Sequence, residues 1–345
     1  MSSYTGNAII TKAKSLYGKR LRPDDYEALL KFKTVPEIVG YLKKNDKYSN
    51  TLENVTEFSM HRGQLEDLIK KSYFSNVTKL VKFVSTDDRK FYELDMIRRE
   101  MEIVLSSIRS IISGSIESLV RDLPLFFRKH ASYSVDEVVK AMTMKDLLDV
   151  LKDTRYYDLI KPYYTSDPSK IRYSDIEHNI YAEYHNIVIK RINKYYKGKN
   201  RVNLMNVYQS SVEINNIIKI YRLKKFYNAS EFDIMSAIIT ENIRMSKNKL
   251  KELINLLDPN DVLKVLSKSQ FSEFTDNDDY IYIEYQAEKI KYNISRRYMY
   301  FSDFPPIVYS VFLILNEIER HNIFNIIEGI RYDMEKEDIQ KMLIF

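Results

Sequence analysis

One short phrase returns three times along the chain, and each time it has the form of a helix start. Thr34-Val35-Pro36-Glu37-Ile38-Val39 is followed by Leu42 and Tyr48. Thr143-Met144-Lys145-Asp146-Leu147-Leu148 is followed by Leu151 and Tyr157. Asp258-Pro259-Asn260-Asp261-Val262-Leu263 is followed by Leu266 and Phe271. In each, a Thr or Asp side chain can accept from the free N–H groups of a first helical turn. An acid three residues on can reach back to it. Thr34 and Thr143 lie 109 positions apart, and Thr143 and Asp258 lie 115 apart. Three such boxes at near-constant spacing, each leading the same apolar pattern, predict one structural unit used three times. That organisation suits a scaffold or adapter better than a catalyst.

The elements between the boxes should be long helices. The chain holds 7 Gly and 8 Pro among 345 residues. That is about 4%, against roughly 12% in an average protein, so turns are few. Lys, Glu, Leu, Ile and Met recur at helical spacing, and the expected fold class is all-α. The second half of each unit repeats in the stretches Phe91 to Ile112, Leu204 to Phe226 and Pro306 to Tyr332. Their acids align as Glu102, Glu213 and Glu319. The last two share Glu-x-x-Asn-Ile, through Asn216-Ile217 and Asn322-Ile323, where the first has Leu105 and Ser106. A further long helix is expected in each unit, near 64–84, 174–196 and 280–300. Acids come early and bases late in these, as the helix dipole favours. The units are read as 1–116, 117–227 and 228–345, with boundaries near Gly114 to Pro124 and Phe226 to Phe232. Neither boundary is rich in Gly, Pro or Ser, so rigid packing is expected.

The helix from Val212 carries apolar residues on more than one side. Glu213 and Asn216 therefore sit on a largely buried helix, where polar groups are costly unless satisfied. They either hydrogen-bond within the protein or face a polar cavity.

Several chemistries find no support. There is no cysteine, which removes disulfides, thiolate catalysis and thiolate metal sites, and fits a reducing compartment. His178 and His185 are two turns apart, too far to chelate one metal alone, and no HExxH motif is present. The isolated glycines make no phosphate-cradling loop. Asp276 to Asp279 lacks the glycine and closing glutamate of a calcium loop. No catalytic site, cofactor or metal is expected. The start of the chain has no signal-peptide pattern, and its most apolar stretch, Pro305 to Leu315, is shorter than the ~20 residues that span a bilayer. A soluble or membrane-peripheral protein is expected. The net charge of +6, from 54 bases and 48 acids, is mild for a nucleic-acid binder. The basic stretch Lys190 to Arg201, with Tyr195 and Tyr196, is the best nucleic-acid candidate. The favoured reading is a helix C-terminus followed by an exposed loop, because position in the repeat accounts for the bases.

Three sets of residues resemble the family of V/A-type ATPase C subunits, relatives of the eukaryotic V-ATPase d subunit. The first is Phe304-Pro305-Pro306-Ile307-Val308-Tyr309, then Asn316-Glu317-Ile318-Glu319-Arg320-His321-Asn322-Ile323, Ile330-Arg331-Tyr332 and Ile339. The second is Glu213-Ile214-Asn215-Asn216-Ile217 with Arg222 and Lys224. The third is the opening with Tyr4, Ala8, Ala13-Lys14, Leu21, Asp25-Tyr26 and Leu29-Leu30. The resemblance covers essentially the whole chain, and its specificity lies in the order and spacing of motifs that are individually weak.

The resemblance implies three helical subdomains about a pseudo-threefold axis, forming a funnel with a central cavity. It implies a single-copy, non-catalytic rotor component on the cytoplasmic face of the membrane. Its broad end would seat on the proteolipid ring and its cavity would receive the central shaft, coupling ATP synthesis or hydrolysis to proton or sodium-ion transport. Candidate partner-binding residues are Glu213, Asn216, Arg222, Glu319, Asn322 and Arg331. Internal capping and packing is the competing role for each. The alternative function is a soluble helical-repeat scaffold binding protein or RNA.

Overall fold

A computed structural model describes residues 4–82, 84, 89–114, 125–256, 258, 261–262 and 283–345. Every regular element among the described residues is helical, so the fold is all-α. The chain divides into two compact units. One comprises Met1–Ser85, Glu213–Tyr221 and Leu256–Phe345, and the other Thr86–Val212 and Arg222–Asn255.

The first unit is organised by the helix Pro305–Arg331. Two prolines suit its first turn, where an N–H would have no partner anyway. Only Arg331, at its end, is exposed. A helix apolar on all sides must be covered on all sides. The helices Ile283–Phe301, Tyr4–Gly18 and Arg62–Val81 cover it. Ile323, Ile326 and Ile327 enter a core with Leu29, Ile38, Leu42, Leu52 and Leu65. The first capping phrase forms as expected. Thr34 Oγ1 accepts from Glu37 N at 3.4 Å, and Glu37 Oε2 accepts from Thr34 N at 2.9 Å. It starts the helix Val35–Lys44, whose Ile38, Val39 and Leu42 are buried.

The second unit centres on the helix Arg89–Ser113, packed against Tyr173–Tyr195. Short helices, Val135–Lys140, Met144–Leu151 and Arg155–Ile160, close its core around Val104, Ile108, Leu147, Leu151 and Tyr156. The second capping phrase also forms. Thr143 Oγ1 accepts from Asp146 N at 3.1 Å, and Asp146 Oδ2 accepts from Thr143 N at 3.0 Å. Ser230 and Asp233 make a further box that the repeat does not account for. Such boxes therefore mark helix starts in general, and it is the pattern behind them that repeats.

Most of the third phrase, from Pro259 onward, lies outside the described residues, as do Asp276 to Asp279 and most of the segment Gly114 to Pro124. A helix end falls within the stretch Phe226 to Phe232, while the compact unit continues through it to Asn255. The 30-residue helix Gly198–Tyr227 ends at Asn228, which caps it in the left-handed conformation (φ 44°).

Candidate functional site

The unusual chemistry of the first unit is a buried carboxylate. The apolar helix Pro305–Arg331 carries Glu319 into the core, where a lone charge would be very costly. Glu319 Oε1 accepts from Lys47 Nζ at 2.8 Å and Tyr48 Oη at 2.6 Å, and Oε2 accepts from the Leu21 N–H at 3.1 Å. The Lys47 and Glu319 side chains are only 6% and 7% exposed. Asn316, nearly one turn earlier, donates to Phe312 O and accepts from Lys47 Nζ at 2.6 Å. Burial, and then the adjacent Glu319 carboxylate, push the Tyr48 hydroxyl well above the ordinary tyrosine range, so it stays a donor. Asn322, one turn on, donates to Ile344 O at 2.6 Å and accepts from Ile344 N at 3.0 Å. It pins the C-terminal segment, where Phe345 stacks on Tyr26 with ring centroids 4.7 Å apart.

The same device recurs in the second unit. Glu100, on the helix Arg89–Ser113, is buried. Its carboxylate accepts from Ser132 N at 2.7 Å, Ser132 Oγ at 3.0 Å and Tyr156 Oη at 3.1 Å. Burial and Glu100 likewise raise the Tyr156 hydroxyl. Each lock joins a long helix to a backbone N–H ahead of a capping phrase and to a tyrosine behind it. Sequence alignment pairs Glu102 with Glu319, but Glu102 is exposed and pairs with Arg98 at 3.0 Å. The buried role falls two positions earlier, and the tyrosine is Tyr156 rather than Tyr157. A two-residue slip moves the carboxylate 200° around a helix, so burial pattern, not residue identity, was the usable signal.

The other candidates separate by exposure. Glu213 and Asn216 are 1% and 3% exposed, and neither is without a partner. Arg222 and Arg331 are exposed. Arg331 lies over the Tyr332 ring, 5.2 Å from its centroid. The structure thus brings Glu319 and Asn322 together on one buried helix and sets the two arginines at the surface.

His178 and His185 each bond a backbone carbonyl, of Ala237 and Asn242, at 3.1 Å. No group of three or more potential metal ligands occurs among the described residues. Nor is any described helix long and apolar enough to cross a membrane. The basic stretch from Lys190 is a helix end followed by a two-residue connection rather than a loop, since the next helix starts at Gly198. Arg191 is turned inward there, to the Lys90 carbonyl.

Long helices tied to short capped segments by buried carboxylates define a helical protein whose polar interior is structural. The chain belongs to the ATP synthase (C/AC39) subunit family, whose profile matches residues 9–342. It is 22% identical over 245 residues to the C subunit of the A-type ATP synthase of Methanosarcina mazei, and 20% identical over 245 residues to that of Methanosarcina acetivorans. Each match covers 71% of this chain and 66% of the relative, so just under two thirds of the relatives' length is spanned. The corresponding protein of Methanosarcina barkeri is 22% identical over 273 residues, covering 77% of this chain and 73% of its own.

Proposed function

We propose that this chain is a non-catalytic central-stalk rotor component that joins the shaft of the ATP-hydrolysing sector to the proteolipid ring. It sits on the cytoplasmic face in one copy per complex and transmits torque between ATP turnover and ion transport. The observation that carries the proposal is the lock found twice, at Glu319 and Glu100. A torque coupling must not yield, and segments far apart in sequence are held by short, buried, charge-assisted bonds. The third lock falls to Glu213, which is buried on the corresponding helix. It precedes Asp258 by 45 positions, much as Glu100 precedes Thr143 by 43. The two locks, with the buried Glu213 in the third position, support the reading of three lobes about a pseudo-threefold axis, a funnel whose cavity takes the shaft. In this reading Glu213, Asn216, Glu319 and Asn322 hold the lobes, and Arg222 and Arg331 meet the partners.

The test is capture of the tagged chain from native membranes. Other components of the rotary ATPase should co-purify and nuclease should not release them. Arg222→Glu and Arg331→Glu should lose the ring or the shaft with unchanged melting temperature. Recovery away from membranes, in nuclease-sensitive association with RNA, would sink the rotor reading.

A further inference from the structure

The helix Arg62–Val81 turns one stripe of residues toward the interior: Leu65, Ile69, Ser72, Asn76 and Leu80. The spacing is that of an apolar core stripe, yet its middle is Ser and Asn. Ser72 and Asn76 are 3% and 5% exposed, and neither makes a side-chain hydrogen bond among the described residues. Their polar atoms are not sealed from solvent but open onto a cleft, and polar residues that break an apolar stripe at such a place point to something they bind.

What they face is an open cleft of 490 Å³. Its floor is Ser72 and Asn76, and its rim includes Lys71, Ser75 and Lys79 from the next stripe of the same helix. Lys47 lines it as well. Three lysines line the cleft and no acidic residue does. Lys47 is already matched by Glu319, but Lys71 and Lys79 form no ion pair among the described residues. Like charges held around one cleft repel, and a bound anion relieves that repulsion.

We propose that this cleft binds a small phosphate-bearing anion. Ammonium groups at the rim supply charge, and hydroxyl and amide donors at the floor supply the several hydrogen bonds that a tetrahedral oxyanion accepts. The volume admits a group of pyrophosphate to mononucleotide size, within the usual range for small-ligand pockets. Such a ligand would lie against Lys47, and so next to the Glu319 lock.

The test is calorimetric titration of the intact chain with pyrophosphate and with ATP, alongside co-sedimentation with phosphatidylglycerol vesicles and with neutral phosphatidylcholine vesicles. Saturable one-to-one binding of the soluble phosphates assigns a free phosphate ester. Binding confined to phosphatidylglycerol vesicles assigns a lipid headgroup. Lys71→Gln/Lys79→Gln, at the rim, should keep the fold and weaken binding roughly tenfold or more. Asn76→Leu should abolish binding while raising the melting temperature, because it completes the apolar stripe. Absence of saturable binding to every probe would overturn the proposal. So would affinity unchanged by both variants.

Discussion

At the scale of single residues, the two locks differ in one respect that sets their energies apart. Glu319 is paired with a buried cation, Lys47. Glu100 is held by an N–H and two hydroxyls, with no cation paired to it among the described residues. Glu319→Gln strands the Lys47 charge in the core and should cost about 3–5 kcal/mol. Glu100→Gln abandons no charge and should cost about 1–3 kcal/mol, the penalty of an imperfectly matched buried group. Replacing both members of the ion pair, Lys47→Met with Glu319→Leu, should recover most of the loss. Urea unfolding of the four proteins checks this, and equal losses for the two glutamine variants would remove the ion pair's special weight. Burial of Glu213 and Asn216 was legible in the sequence, from the apolar residues around them, and Glu319 was reached through its alignment with Glu213. The partners of Glu319 were not legible there. Tyr48 and Lys47 lie 271 and 272 positions away, and no local pattern announces a contact of that separation.

At the scale of elements, the helices themselves were the most legible feature. The stretches expected near 64–84 and 174–196 are observed as Arg62–Val81 and Tyr173–Tyr195. Scarce turn-formers and a 3.6-residue apolar period leave little choice. What sequence left open was how closely elements approach, and Gly329 is the clearest case. It lies in the long helix Pro305–Arg331 beneath the short helix Lys336–Lys341. A Cβ built there would overlap the side chain of Ile339, which is itself buried. Glycine inside a helix is normally a defect of about 1 kcal/mol relative to alanine. Here the sign should reverse. Gly329→Ala should destabilise by about 1–3 kcal/mol through overpacking. The same substitution made together with Ile339→Ala should be neutral or stabilising relative to Ile339→Ala alone. Thermal unfolding of that pair of pairs measures the coupling, and simple additivity would show that the two helices do not meet at this point.

At the scale of the whole molecule, the tyrosines set a limit that neither unit escapes. The chain has 28 tyrosines and no tryptophan. Tyr26 and Tyr48 are buried in the first unit, and Tyr133 and Tyr156 in the second. All four hydroxyls are raised above the ordinary tyrosine range, by burial first. The further cause is Glu319 for Tyr26 and Tyr48, Tyr156 for Tyr133, and Glu100 for Tyr156. A raised pKa means that the folded state keeps a proton which the unfolded state releases above pH ~10. The stabilisation is therefore complete below that pH and is lost as pH rises. Each buried hydroxyl should remove about 1 kcal/mol between pH 10 and 11, and four together approach the whole stability of a typical domain. Alkaline unfolding should accordingly be abrupt, with tyrosinate absorbance and loss of helical circular dichroism rising together. Tyr48→Phe should soften the transition by removing one ionising group, although it also takes a donor from Glu319. Tyrosinate that forms gradually near pH 10 while the helices persist would mean that the two carboxylate locks open without unfolding. That outcome would count against the proposal of a rigid rotor coupling.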